Sequence, residues 1–104
     1  MTRVAAIVLT KNEERHIGAC LDSLAWAERR VVFDSFSTDR TCDLARAHGA
    51  EVMQHRFVDF AAQRNAALDQ VDANWIFFVD ADERSTPKLG AEIQAIVAQD
   101  GQGA

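Results

Sequence analysis

The chain has 104 residues, 48% of them hydrophobic, with a formal net charge of −5. That length suffices for one small domain with a real core but is short for a complete α/β enzyme. The acidic balance argues against broad nucleic-acid binding, which needs a basic face to replace counterions, and no stretch approaches the roughly 20 apolar residues of a membrane span.

Residues 4–9, VAAIVL, form an apolar run without alternation, the pattern of a strand covered on both faces. From Glu14 the apolar positions Ile17, Cys20, Leu21 and Leu24 recur at helical spacing and predict a first amphipathic helix. Residues 30–33 read as a second strand leading into Asp34. SFSTDR then supplies turn and cap residues for a helix over residues 41–48, with Leu44 and Ala45 inward and Gly49 placed to end it. Residues 51–55 read as a short third strand. A helix follows within residues 57–71, where Phe60, Ala61, Asn65 and Leu68 share a face. Residues 75–79, WIFFV, are β-branched and aromatic enough for a fourth strand. Ser85, Thr86 and Pro87 start a last helix, with Leu89, Ile93, Ile96 and Val97 as its apolar stripe, and residues 100–104 are expected to be a flexible tail. Residues 1–104 form one domain, because no linker divides them.

Four strands alternating with four helices predict a Rossmann-like α/β fold, a parallel sheet with helices on both faces. Ligands of such sheets bind beyond the carboxyl ends of the strands, near the point where strand order reverses. Those ends carry residues 10–13 (Thr10, Lys11, Asn12, Glu13), then Asp34 and Ser35, then His55 and Arg56, then Asp80 and Asp82. If the extended backbone persists past the fourth strand, Asp80 and Asp82 point the same way. Two hard oxygen groups on one side suit Mg or Mn and leave positions open for a diphosphate. The plainer alternative is a solvated turn, with Glu83 or Ser85 capping the next helix. Asp34 is a candidate acceptor for a base N–H or a ribose hydroxyl, whereas Asp39 reads as a structural cap residue. Arg64 could reach a phosphate with its planar fork or pair with an acidic neighbour. His16, His48 and His55 are scattered. Cys20 and Cys42 lack zinc-ligand spacing and read as reduced packing residues. The opening MTRVAAIVLTKNEE lacks a small-residue cleavage site after its apolar run, so a cytoplasmic location is expected.

Taken together, VLTKNEERHIGACLDSL, VVFDSFSTDRTCDLARAHGAEV, FAAQRNAALD and WIFFVDADE resemble the nucleotide-binding N-terminal half of family 2 inverting glycosyltransferases with the A-type fold. The likeness is greatest to bacterial members that build the lipopolysaccharide core. It implies that Thr10, Lys11, Asn12 and Glu13 line the nucleoside pocket, that Asp34 contacts the base, and that Arg64 lies near the nucleotide. It further implies that Asp80 faces the ribose and that Asp82 holds a divalent metal against the donor diphosphate. Phe36 stands where many relatives have Gly.

The implied donor is a nucleotide sugar, of the uridine diphosphate type. The implied acceptor is a glycan or lipid-linked saccharide, engaged only with a second half that also carries the catalytic base, so no catalytic residue is assigned in this chain. On this reading the chain is an apparently truncated donor-binding domain. Peripheral association with the inner face of the cytoplasmic membrane is compatible with it, and self-association through an exposed sheet edge is expected. The rival from another class is a catalytically silent nucleotide-binding or interaction module that kept the fold.

Overall fold

The computed structural model describes residues 3–103, with side chains through residue 99. Strands β1 (Val4–Thr10), β2 (Arg29–Asp34), β3 (Glu51–Gln54) and β4 (Trp75–Asp80) alternate with helices α1 (Ile17–Ser23), α2 (Thr41–Ala47), α3 (Phe60–Gln70) and α4 (Pro87–Gly103). All pairings are parallel and the sheet order is β3-β2-β1-β4. This is the Rossmann-like α/β architecture that the alternation predicts. Among the described residues no helix is long and apolar enough to cross a membrane.

The unbroken apolar run of β1 is explained by its central place, with β2 on one side and β4 on the other. Its alternate residues feed two separate cores. Ala6 and Val8 join Val32 beneath Ile17, Cys20, Leu21 and Leu24 of the α1 segment and Ala45 of α2. Ala5 and Ile7 join Val31 and Phe33 beneath Ala67 and Val71 of the α3 segment on the opposite face. Complete burial of side chains such as Ile7, Val31 and Phe33 contributes about 1.5–3 kcal/mol each, so the two layers carry most of the stability. Strand β4 is the outer strand, and its apolar residues remain half-buried.

Two boundaries and one helix face differ from the sequence expectation. Helix α1 begins at Ile17 rather than Glu14, because the amides of His16 and Ile17 both turn to the Glu13 carbonyl in a tight turn, at 3.0 and 2.9 Å. Helix α3 buries Gln63 and Ala67, while Phe60 and Leu68 of the expected shared face are exposed. A small Ala67 lets this helix lie close on the sheet, which its larger apolar residues would not. Helix α4 runs on to Gly103, since each added residue continues the i to i−4 ladder without needing a tertiary contact. Most of the expected tail at residues 100–104 is therefore helical, with Ala104 outside the described residues.

Helix α4 is held to the α1 side through Trp26. The indole donates to Ser85 Oγ at 3.0 Å and meets the Phe77 ring edge-on at 6.0 Å. Gly90 lies over the indole so closely that a Cβ there would sit 2.7 Å from Trp26 Cδ1.

Above the sheet, the loops after β1 and β2 are joined by a series of hydrogen bonds centred on Asp34. This carboxylate is fully buried. One oxygen accepts from the Thr10 hydroxyl at 2.7 Å and the Ser37 hydroxyl at 2.5 Å, and the other accepts from the Ser37 amide at 2.7 Å. Lys11 Nζ donates to the carbonyls of Ser35 and Phe36. The Asn12 amide donates to Ser37 Oγ, and Asn12 Oδ1 accepts from the Thr38 amide. The amides of Glu13 and Glu14 donate to Thr41 Oγ1 and Asp39 Oδ2. Asp39 also accepts from the Thr41 amide at 2.9 Å, the structural role expected of it. The joined loops place two non-glycine residues in the left-handed region, Asn12 at φ 54 and Phe36 at φ 56.

Burial by itself would raise the Asp34 carboxyl. The hydrogen bonds from the Ser37 hydroxyl, the Thr10 hydroxyl and the Ser37 amide outweigh it and hold the group below the usual carboxylate range. The sign of the linkage follows. A group whose folded value lies below its unfolded value, near 3.9, contributes stability that is present above that value and lost as pH falls through the folded one.

Two outcomes test this architecture. Asp34→Asn should lower the unfolding free energy at pH 7 by about 2 kcal/mol, because an amide cannot accept all three donors. In urea titrations the gap to the parent should narrow as pH drops below about 4. Gly90→Ala should lower stability by about 1 kcal/mol net, the crowding of Trp26 exceeding the helix-propensity gain. A higher urea midpoint for that variant would contradict the Trp26 contact.

Candidate functional site

The strand order places β2 on one side of β1 and β4 on the other, so the chain reverses direction across the sheet between β1 and β4. Diverging connections leave a crevice above the carboxyl ends of those two strands. An open cleft of about 770 Å³ lies there. One wall is Leu9, Thr10, Lys11 and Glu13 from the end of β1, and another is Asp80, Ala81 and Asp82 from the end of β4. Ser35 and Phe36 close it above β2, while Arg56, Phe57, Phe60 and Gln63 come from the end of β3 and from α3.

The acidic wall is built by a turn. The extended backbone ends at Asp80, and the Glu83 amide donates back to the Asp80 carbonyl at 2.9 Å. Ala81 is buried in the α1-side core and anchors the turn, so Asp80 and Asp82 remain exposed on either side of it. The Cys20 thiol donates to the Asp80 carbonyl at 3.7 Å and steadies the strand end from beneath. Burial pushes that thiol up to about 11, so it stays protonated at neutral pH. Glu83 turns its carboxylate away to accept from the Asp80 amide at 2.8 Å.

Among the described residues the Asp80 and Asp82 side chains have neither a hydrogen bond nor an ion pair, and no three acidic, histidine or cysteine side chains are grouped to hold a metal ion. The donor set nevertheless fits a hard divalent cation. Two exposed carboxylates line one cleft, and a Mg or Mn ion accepts few protein oxygens when substrate phosphates complete its shell.

The residues singled out from sequence divide into two groups. Thr10, Lys11, Glu13, Asp80 and Asp82 line the cleft, whereas Asn12, Asp34 and Arg64 are not on its walls. The side chains of Asn12 and Asp34 are engaged in joining the loops. The Arg64 guanidinium sits over the Phe78 ring, 5.9 Å from its centroid, in a cation–π contact. Its neighbour Gln63 faces the cleft instead. Gln63 is buried, donates to Ser35 Oγ at 3.0 Å and pairs with His55 Nδ1 at 3.1 Å, which ties α3 to the ends of β2 and β3. With Ala67, four residues on, it forms the buried stripe of α3. The cleft residues Arg56 and Phe57 had no sequence signal beyond their place after β3, and Phe60, expected on the helix's shared face, instead meets Phe57 edge-to-face with ring centroids 5.2 Å apart.

Comparison with known proteins fits this geometry. The family described as Glycosyl transferase family 2 matches residues 5–102. Lipopolysaccharide core biosynthesis glycosyltransferase LpsC of Rhizobium meliloti is 35% identical over 100 residues, covering 91% of this chain and 37% of its own length. An uncharacterized glycosyltransferase of Rickettsia bellii is 33% identical over 101 residues, covering 96% of this chain and 34% of its own. The chain thus spans about a third of the length of these relatives, 37% and 34%. Among solved structures, S. aureus TarS superposes with a TM-score of 0.80 at 27% identity, over 93% of this chain and 32% of that one. Glucosyl-3-phosphoglycerate synthase from Mycobacterium tuberculosis, in complex with Mn2+, UDP-glucose and phosphoglyceric acid, shares the fold with a TM-score of 0.70 at 22% identity, over 77% of this chain and 33% of that one. With the family pattern matched from the second residue of β1 to the last turn of α4, the chain belongs to glycosyl transferase family 2.

Proposed function

We propose that the chain binds a nucleotide diphosphate sugar, of the uridine diphosphate type, with a divalent metal ion. It serves as the donor half of an inverting glycosyltransferase acting in cell-envelope polysaccharide or lipopolysaccharide synthesis. The observation that carries this reading is the pair of exposed, unpartnered carboxylates, Asp80 and Asp82, on the wall of a cleft at the strand-order reversal. The Mn2+ and UDP-glucose in the synthase complex of the same fold support the choice of ligand.

In this assignment Asp82 holds the divalent ion together with the donor diphosphate, and Asp80 accepts from the ribose hydroxyls. A divalent ion bound there would supply charge neutralisation to the donor diphosphate. The protein's own part is orientation. The joined loops over β1 and β2 form a rigid rim, Thr10 and Asp34 fix its height above the sheet, and Arg56 adds the cleft's cationic side chain beyond Lys11. Lys11 binds two backbone carbonyls, so its charge shapes the rim and adds to the field at the cleft. Attack by an acceptor hydroxyl belongs to the half of such enzymes beyond this domain.

Isothermal titration of uridine diphosphate, with and without Mn2+, checks the reading. Binding should require the metal, exceed that of guanosine diphosphate, and weaken at least about tenfold in Asp82→Asn, one decade for each 1.4 kcal/mol lost. Metal-independent binding, or an Asp82→Asn variant that binds as the parent does, would sink the assignment of the acidic wall.

A further inference from the structure

We propose that Phe36 is the stacking platform for the nucleobase, an inference that rests on the nucleotide-binding reading above. Phe36 stands at φ 56, a region that bulky L residues rarely adopt. Its surroundings hold it there. Lys11 Nζ grips its carbonyl at 2.9 Å and that of Ser35 at 3.1 Å, and the next residue is pinned through the Ser37 amide to Asp34. Strain of this kind persists only where neighbouring structure enforces it, and it concentrates at binding sites.

The ring gains little packing in return. It is 54% exposed, lines the cleft, and has no ring contact among the described residues, whereas Phe57 and Phe60, also on the cleft lining, pack on each other. A large aromatic face held rigid and uncovered suits a flat π-system, and base–aromatic stacking is tolerant of the base's hydrogen-bonding pattern.

Position along the cleft identifies which part of the ligand it meets. Phe36 follows β2, and the acidic wall follows β4, with β1 between them. Two inter-strand steps of about 4.8 Å separate those strands by roughly 10 Å, the reach of a nucleoside from its phosphate end to its base. A diphosphate at Asp82 therefore directs the base toward Phe36.

The test compares the parent with Phe36→Gly and Phe36→Trp. Each is titrated with uridine diphosphate and with inorganic diphosphate in the presence of Mn2+, and each is melted without ligand. Phe36→Gly should weaken uridine diphosphate about tenfold or more and leave inorganic diphosphate unchanged. It should melt no lower than the parent, because glycine accepts the positive φ freely. Phe36→Trp should bind the nucleotide at least as tightly as the parent. Equal loss of both ligands, or a lowered melting point accounting for the loss, would overturn stacking in favour of a purely structural role. Nucleotide binding unchanged in Phe36→Gly would overturn the platform alone. A parent that binds inorganic diphosphate as tightly as the nucleotide, or binds neither, would overturn both the platform and the nucleotide reading.

Discussion

The upper end of this sheet depends on one buried charge. Asp34 is fully enclosed at the end of β2 and is tolerable there because Thr10 and Ser37 direct two hydroxyls and an amide at its oxygens. An unpaired carboxylate in that place would cost several kcal/mol. Its partners are Thr10, the last residue of β1 and its neighbour across the ladder, and Ser37 of the loop after β2, so satisfying the charge fastens that loop over the end of β1. The strained backbone at Asn12 and Phe36 follows from this joining, because the two loops meet only if each turns sharply. A single electrostatic requirement thus links the second strand to a binding rim on the first.

The second constraint is topological. With β1 central and the chain crossing to β2 on one side and to β4 on the other, a crevice must open above β1, and the polar ends of both strands must face it. At this crevice the carboxylates of Asp80 and Asp82 are exposed to solvent, and Arg56 lines the same cleft. Cys20 and Ala81 bind the same strand end to the core, so the acidic wall is fixed from below while its charges stay accessible.

Much of this was legible in the sequence, and the rest was not, for definite physical reasons. An apolar run without alternation, residues 4–9, marks a strand buried on both faces, and the aromatic and β-branched residues of β4 mark another. The sudden change from apolar run to Asp80 and Asp82 marks the end of β4, and the structure places both residues on the cleft wall. The inward face of α3 was hidden because it uses Gln63 and Ala67, a polar residue and a small one, while Phe60 and Leu68 face out. For Arg64 the sequence left open a phosphate contact or a surface ion pair; the guanidinium lies over the Phe78 ring, a partner on another element that no local pattern names. The joining of the two loops spans 24 to 28 residues in sequence, and no local periodicity encodes contacts at that separation.

The most direct test of the acidic wall as a cation and nucleotide seat is paramagnetic broadening of the amide resonances of the isotopically labelled chain, by substoichiometric Mn2+ with uridine diphosphate. Signals of Asp80, Ala81, Asp82 and Lys11 should vanish first, while those of Glu51 and Asp72, acidic residues at the opposite ends of the strands, persist. Broadening centred on those remote carboxylates, or spread evenly over the acidic surface, would contradict it.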